Sequence, residues 1–432
     1  MLVEFSVGNF RSFRDVVTLS MVAANLSAKD KTLDENTVFE TEGEPRLLTS
    51  AAVYGANASG KSNLVRAISF MREFVLNSPK ETQPTGAINT EPFRLSAETI
   101  AQPSHFEMVF IAGGRRYRYG FMATSQRVEK EWLFHVPHSR EARLFERMGD
   151  DVQLGEGFKE GRDLMSKTRP NALFLSVVAQ FNGKVAQKVL DWFFRLGIAS
   201  GLEDTGMRMF TQQKLFDGEM RDKIIQFVRR LDLGIHDLKV EHVPIRIDSL
   251  PESMPEELKT AFRSLMEHAD TKVEDVAIHT VHPQYDRDGH LVAQEIFNLD
   301  EQESEGTQKL FALAGPLTHT LKEGQVLIVD ELDARLHPLL TREIVGLFNA
   351  RETNPYHAQL IFTTQDTSLL DNRFLRRDQI WFTEKDRYGT THLYSLAEFR
   401  VRNDASFGRD YVRGRYGAIP FLGDLRQIVE AT

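Results

Sequence analysis

The sequence predicts an α/β protein: a β-sheet covered by helices, an antiparallel β layer beside it, and a helical region inserted between two halves. The first observation is the stretch Gly55-Ala-Asn-Ala-Ser-Gly60-Lys61-Ser62. It stands between the apolar run Ala51-Ala52-Val53-Tyr54, which reads as a buried strand, and Leu64, Ile68 and Met71, which recur at helical spacing. The second is the alternation of strands and helices beyond residue 291, which implies a largely parallel sheet with both faces covered. The third is a succession of short strands between His105 and Leu154, separated by turns, which reads as a meander.

A chain of 432 residues can bury a large core and fits two or three domains. Hydrophobic residues make up 41% and charged residues 27%, the balance of an ordinary globular protein. With no cysteine, disulfides and thiolate metal sites are excluded. A net charge of -9 argues against general coating of nucleic acid but leaves room for a local basic groove. The start, Met1-Leu-Val-Glu-Phe-Ser, lacks the pattern of a secretion signal, and no apolar run approaches the ~20 residues of a membrane helix. A cytoplasmic location without membrane association is the expectation.

In chain order, residues 2–7 and 16–22 read as strands joined through Gly8-Asn9 and Phe10-Arg11-Ser12-Phe13-Arg14. The polar segment from Ser27 to Pro45 reads as an irregular connection, and Asn77 to Pro103 as loop with short extended pieces. The meander comprises residues 106–111, 117–122, 128–136, 144–147 and 152–154. Helical spacing marks residues 185–196, 220–231 and, after Pro255, 256–268. Strands are predicted at 273–281 and 291–297, then a helix at 307–321, a strand at 326–329 and a helix after Pro338. Further strands fall at 360–364, 379–382 and 392–394. The domains expected are an N-terminal part of the head (1–180), a helical insertion (181–290) and a C-terminal part of the head (291–432).

The glycine-rich stretch carries the chemistry. Gly55 and Gly60 let the backbone curl so that successive N–H groups, including those around Asn57 and Ser59, point at a phosphate chain above a helix N-terminus. Lys61 is placed to reach the β- and γ-phosphates of ATP and Ser62 to ligate Mg²⁺. Gln325-Val-Leu-Ile-Val-Asp330-Glu331 delivers two carboxylates at the C-terminal end of a buried strand, where ligands bind in open α/β sheets. Asp330 would hold Mg²⁺ through water, and Glu331 would act as general base toward the attacking water. Ser304 reads as a helix N-cap, with free N–H groups at 305–307 able to bind an anion.

Gly55-x-Asn57-x-x-Gly60-Lys61-Ser62-Asn63, Ser304-x-Gly306, Val329-Asp330-Glu331 and Leu336-His337-Pro338 resemble the ABC-type ATPases of the RecF, SMC and OLD group. Asn9-Phe10-Arg11-Ser12-Phe13 is similar to the same group. Residues 394–399 and 414–420 resemble more narrowly the bacterial AAA-15/AAA-21 ATPases, several of which are anti-phage proteins similar to RloA/AbiL-type ATPases and the ATPase of the PARIS system. The resemblance implies a P-loop ABC-type head with a mixed sheet. It implies also that Ser304 and Gly306 contact the γ-phosphate held by an opposite protomer, in a homodimer or higher oligomer with ATP sandwiched between heads. By the same resemblance Gln180 matches a Q-loop residue that reaches Mg²⁺, although it reads equally as an exposed residue ending a buried strand or helix. Asp333 matches the D-loop, or is a helix-cap aspartate. His337 reads as a packed histidine before proline and is not assigned to metal.

Where the family carries a switch histidine, this chain has Gln365, counted with Glu331 and Lys61 as catalytic. Glutamine keeps a hydrogen bond but carries no charge or mobile proton, which would slow hydrolysis by an amount worth ~1.5–3 kcal/mol. The other reading of Gln365 is a cap on the following turn with Asp366 and Ser368. Arginines at 115, 116 and 118, and at 400, 402, 409, 413 and 415, read as a solvated face, with nucleic acid as the alternative partner. The expected function is an ATP-hydrolysing switch in bacterial anti-phage defence, controlling a separate nuclease or toxin effector. A RecF-like DNA repair ATPase is the alternative, and a scaffold without meaningful turnover is a third class.

Overall fold

The computed structural model describes residues 1–26, 28, 30–81, 86–137, 140–231, 234–244, 274–402 and 405–420. Two compact units divide the chain: residues 1–203 together with 320–432, and residues 204–319.

Among the described residues, the larger unit contains a mixed sheet in the order Gly197–Ser200, Val326–Asp330, Gln359–Thr363, Ser50–Tyr54, Ile380–Lys385, Thr391–Ser395. The first five strands are parallel, and the last pairs antiparallel with its neighbour. Ser50–Tyr54 and Gln359–Thr363 are buried along their whole length, as strands covered on both faces require. Their register sets Ile361 against both Ile328 and Ala51, so Tyr54, Thr363 and Asp330 end at one edge of the sheet.

A second, wholly antiparallel sheet runs Asp151–Leu154, Ala142–Met148, Val128–His135, Arg115–Ala123, Ser104–Ala112, Leu2–Gly8, Val17–Ser20. The meander and the N-terminal hairpin thus share one layer. The helix Lys61–Glu81 buries Leu64, Ala67, Ile68, Met71 and Val75, one stripe at helical spacing. Its Phe70 and Phe74 join a ring cluster with Phe10, Phe106 and Phe121. Burial of a ring of this size contributes ~1.5–3 kcal/mol, which ties the phosphate-loop helix to the antiparallel layer.

The helix Phe174–Gln180 is held by a buried charge. Glu131, wholly inaccessible, accepts the N–H groups of Phe174 (2.7 Å) and Leu175 (2.9 Å) and the hydroxyl of Tyr119 (3.0 Å). Its carboxylate lies 3.6 Å from Arg147, whose guanidinium also donates to the carbonyls of Gly149, Ala172 and Arg169. Burial pushes the Glu131 carboxyl upward in pKa, while Arg147 and the donated N–H groups pull it back.

The segment from Ser27 to Pro45 corrects the expectation of an irregular connection: it contains a helix, Lys31–Thr37, and a short strand, Val38–Phe39. Asp30 caps that helix by accepting from Thr32 N–H at 2.9 Å, and its buried face is only Leu33 and Thr37. So short a stripe leaves no periodic signal. The helix Lys61–Glu81 also runs into the stretch read as loop from Asn77.

The smaller unit holds the helices Thr205–Lys214 and Gly218–Arg230 and most of Glu305–Glu323. With them is an antiparallel sheet ordered Asp237–Pro244, Glu274–Tyr285, Leu291–Asn298. Its core includes Leu215, Ile224, Val228, Leu238, Ile278 and Phe311. The helix predicted at 256–268 lies outside the described residues. No helix among the described residues is long and apolar enough to cross a membrane.

Replacing Glu131 by Ala leaves Arg147 buried without its counter-charge and two helix N–H groups without acceptors. The expected loss is ~3–5 kcal/mol of unfolding free energy, read by urea denaturation, with Glu131→Gln losing less because it keeps an acceptor. Equal stability of Glu131→Ala and wild type contradicts this account.

Candidate functional site

The loop from Gly55 to Ser62 lies between the end of Ser50–Tyr54 and the start of Lys61–Glu81. Two close approaches set its shape. A Cβ on Gly55 would lie 2.4 Å from the Thr383 carbonyl oxygen, and one on Gly60 would lie 2.4 Å from Thr391 Oγ1. Gly60 also adopts φ +117°, outside the range of other residues. The hydroxyls that press on the loop also bond it. Ser59 Oγ pairs with Thr383 Oγ1 at 2.7 Å, and Thr391 Oγ1 donates to the Ser59 carbonyl at 2.8 Å.

Ser12 extends the same network. Its Oγ accepts from Asn63 Nδ2 and pairs with Thr391 Oγ1, each at 2.8 Å, and its carbonyl accepts from Thr391 N–H at 2.7 Å. The turn that carries Ser12 is fixed by Phe10 and Phe13, both buried, whose backbones exchange hydrogen bonds. Asn9 adds side-chain bonds to Thr99 O (2.9 Å), Gln102 O (2.8 Å) and Phe93 N–H (3.0 Å). Ser12 stands in the marked stretch at residues 9–13, which gives it no role of its own, and Thr383 and Thr391 have no marker in the sequence, because threonine in strands carries no motif.

Lys61 is buried, and its ammonium donates to the carbonyls of Gly55 (2.7 Å) and Ala56 (3.2 Å). Burial lowers its pKa, and the carboxylates of Glu331, Asp330 and Asp333 oppose that shift. Those carboxylates belong to the edge formed by Val326–Asp330. Thr363 joins them: its hydroxyl donates to Asp330 Oδ1 at 2.6 Å and accepts the N–H of Glu331 at 2.7 Å. Glu331 has φ 52°, a left-handed conformation that costs a non-glycine residue ~1–3 kcal/mol and persists where surrounding bonds impose it. On the other side, Gly201 N–H donates to the Asp330 carbonyl at 2.5 Å, and a Cβ there would lie 1.9 Å from the Glu331 carbonyl oxygen.

Gln365 follows Thr363 and Thr364 at the same edge and is exposed. Its Nε2 donates to Asn57 Oδ1 at 2.8 Å and its backbone N–H to Asp333 Oδ2 at 3.2 Å. The turn beyond is capped by Asp366, which accepts Ser368 N–H at 2.8 Å, so Gln365 faces the phosphate loop and not that turn.

The structure therefore brings Asn57, Ser59, Lys61, Asn63, Asp330, Glu331, Asp333 and Gln365 to one sheet edge. Ser62 is the second residue of the helix. Gln180 ends the helix Phe174–Gln180, exposed, and makes no hydrogen bond with the loop or with Asp330 among the described residues. Ser304 and Gly306 belong to the smaller unit, where Ser304 Oγ accepts Thr307 N–H at 3.2 Å as an N-cap. His337 caps the helix Pro338–Phe348 through Leu339 N–H at 3.2 Å. Arg116 pairs with Glu44 (2.9 Å), and Arg118 with Glu107 (2.9 Å) and Glu141 (2.7 Å).

The donor set fits a nucleoside polyphosphate with Mg²⁺. The loop can take its shape only with glycine at 55 and 60, where a Cβ would run into Thr383 and Thr391, the N–H groups of the first helical turn have no partner within the helix, and a hydroxyl and a carboxylate stand available for a hard cation. Gly60→Ala should therefore lose nucleotide binding more than about 100-fold by equilibrium titration, since its methyl group meets Thr391 at a φ that alanine disfavours. Wild-type affinity in that variant would contradict the cradle geometry.

The chain matches no curated protein. Among solved structures it is similar to an SMC head bound to the C-winged helix domain of ScpA, at 14% identity over 91% of this chain and 97% of that one, TM-score 0.44. It is similar also to the SMC head domain from Thermotoga maritima (13% identity, 91% and 98% covered, TM-score 0.37). A third is the recombination mediator protein RecF with ATPrS (12% identity, 91% and 98% covered, TM-score 0.36). Residues 50–371, which span the glycine loop, the Asp330-Glu331 strand and Gln365, match the family model described as "AAA domain, putative AbiEii toxin, Type IV TA system", and the chain belongs to that family.

Proposed function

We propose that this chain is an ATP-hydrolysing switch ATPase of ABC type, the sensor or scaffold subunit of a bacterial anti-phage system that controls a separate nuclease or toxin effector. The observation that carries the hydrolytic part is the convergence of Lys61, Asp330, Glu331 and Gln365 at one sheet edge, with the carboxylates felt by the Lys61 ammonium. The family description, which names a toxin of a type IV toxin–antitoxin system, supports an effector-linked setting. In this reading the larger unit, residues 1–203 with 320–432, forms the head, and the smaller unit, which holds most of the predicted insertion at 181–290, holds or releases the effector, in the cytoplasm.

Gly55, Asn57, Ser59, Gly60 and Asn63 would enclose the phosphates of ATP, with Lys61 against the β- and γ-phosphoryl oxygens. Ser62 and Asp330, with Gln180 as a further contact, would hold Mg²⁺, which when bound neutralises charge on those oxygens. Glu331 accepts the proton of the attacking water. Gln365 offers an uncharged amide donor where charge builds on the transferred group, which makes turnover slow. Ser304 and Gly306 would act on ATP bound by a second copy, so the working form is a homodimer or higher oligomer.

Four substitutions test this. Lys61→Ala should abolish ATP binding by calorimetry. Glu331→Gln should retain ATP without turnover and accumulate as a dimer in size-exclusion chromatography with light scattering. Ser304→Arg should abolish ATPase activity, and unchanged activity there contradicts the sandwich dimer. Gln365→His should raise the turnover rate by about 10- to 100-fold, the worth of one charge-assisted contact. The RecF-like alternative predicts strong stimulation of ATPase by duplex DNA at physiological salt, and little stimulation is expected.

A further inference from the structure

We propose that Thr363 is a positioning residue for hydrolysis, fixing the carboxylate of Asp330 and the backbone of Glu331 through one buried hydroxyl. The proposal rests on the hydrolytic reading of the site.

Thr363 is the last residue of Gln359–Thr363, between the strands that end in Tyr54 and Asp330, and is 1% exposed. Its hydroxyl has a single hydrogen, and the two neighbours leave no choice in its use. A carboxylate offers only acceptors and an amide N–H only a donor, so Oγ1 donates to Asp330 Oδ1 at 2.6 Å and accepts from Glu331 N–H at 2.7 Å. The Thr363 carbonyl adds a third bond, from Leu332 N–H at 3.1 Å.

These bonds bracket Glu331, whose φ of 52° needs outside support. They also engage one oxygen of Asp330, while Oδ2 makes no hydrogen bond among the described residues and remains available for a cation or its water. A buried threonine at a strand end could merely satisfy its own hydroxyl, but bonds to two adjacent residues of the proposed active edge go beyond that. Valine has the same shape and makes neither side-chain bond. Serine makes both.

The test compares wild type with Thr363→Val and Thr363→Ser, using ATP turnover, equilibrium binding of a fluorescent ATP analogue, and the Mg²⁺ midpoint of ATP-induced thermal stabilisation. Thr363→Val should lower kcat about 10- to 100-fold, in the range of lost supporting bonds to a metal-ligating carboxylate. Its nucleotide Kd should stay within about threefold of wild type, its Mg²⁺ midpoint should rise, and Thr363→Ser should restore kcat to within about threefold. Wild-type kcat and Mg²⁺ midpoint in Thr363→Val overturn the proposal, as does a serine variant as impaired as the valine one. Loss of nucleotide binding in both marks a structural role and overturns it equally. If Thr363→Val does not fold, Thr363→Ala read against Thr363→Ser gives the same comparison. Wild-type turnover that Lys61→Ala and Glu331→Gln abolish keeps the hydrolytic reading standing whatever Thr363 does, whereas absent wild-type turnover overturns both.

Discussion

Parallel pairing of strands drawn from distant parts of the chain is the constraint on which the rest of this structure depends. Ser50–Tyr54 sits between Gln359–Thr363 and Ile380–Lys385, and Gln359–Thr363 pairs in turn with Val326–Asp330. Because all four run the same way, their C-terminal ends share one edge, and three of them end in segments that build the candidate site. Ser50–Tyr54 leads to the glycine loop, Val326–Asp330 to the two acids, and Gln359–Thr363 to Gln365. A slip of one residue between Gln359–Thr363 and Val326–Asp330 would turn Thr363 away from Asp330 and send each side chain into the packing on the opposite face of the sheet. The apolar strand interiors that prevent such a slip therefore also set the geometry of the site.

The loop itself is shaped from outside. Its two glycines lie under Thr383 and Thr391, and hydroxyls from these residues and from Ser12 take up its carbonyl and side-chain groups. Short polar side chains suit this place because they approach the backbone closely while leaving no buried donor or acceptor unmet. Ser12 reaches the loop only because Phe10 and Phe13 pin the turn on either side of it. Core packing in the antiparallel layer is thus transmitted to the backbone of the glycine loop.

That logic explains what the sequence made legible. The glycine loop, the apolar strand before Asp330 and the helix beginning at Lys61 each combine a local motif with a periodicity, and each stands where it was expected. Thr363, Thr383 and Thr391 act only through contacts across strands, so nothing in their own neighbourhoods marks them, and the motif around Ser12 does not reveal that its hydroxyl reaches the loop. Short elements failed for a related reason. Lys31–Thr37 buries only two residues, and Gly197–Ser200, which flanks the Asp330 strand, is four residues long and begins with glycine. Asp237–Pro244 alternates charged and apolar residues in a stretch of otherwise helical character, and pairing with Glu274–Tyr285 makes it a strand. Partners distant in sequence decided each of these.

Position 365 shows how far one side chain can connect such an edge. Its amide donates to Asn57 in the loop while its backbone N–H donates to Asp333, two residues beyond Glu331. The backbone bond is open to any residue but proline, so the connection to Asp333 does not select glutamine. The bond to Asn57 Oδ1 does require a side-chain donor of suitable reach. A histidine could supply one from a ring nitrogen, but would change charge near neutral pH and with it the field around Lys61 and the carboxylates. A glutamine amide holds the same bond at any pH. The arrangement therefore favours a link between the loop and the acidic turn that does not vary with protonation, at the cost of a charge that could stabilise a transferring phosphoryl group. Under the proposed hydrolytic function, that exchange is what would give a slow, persistent nucleotide-bound state.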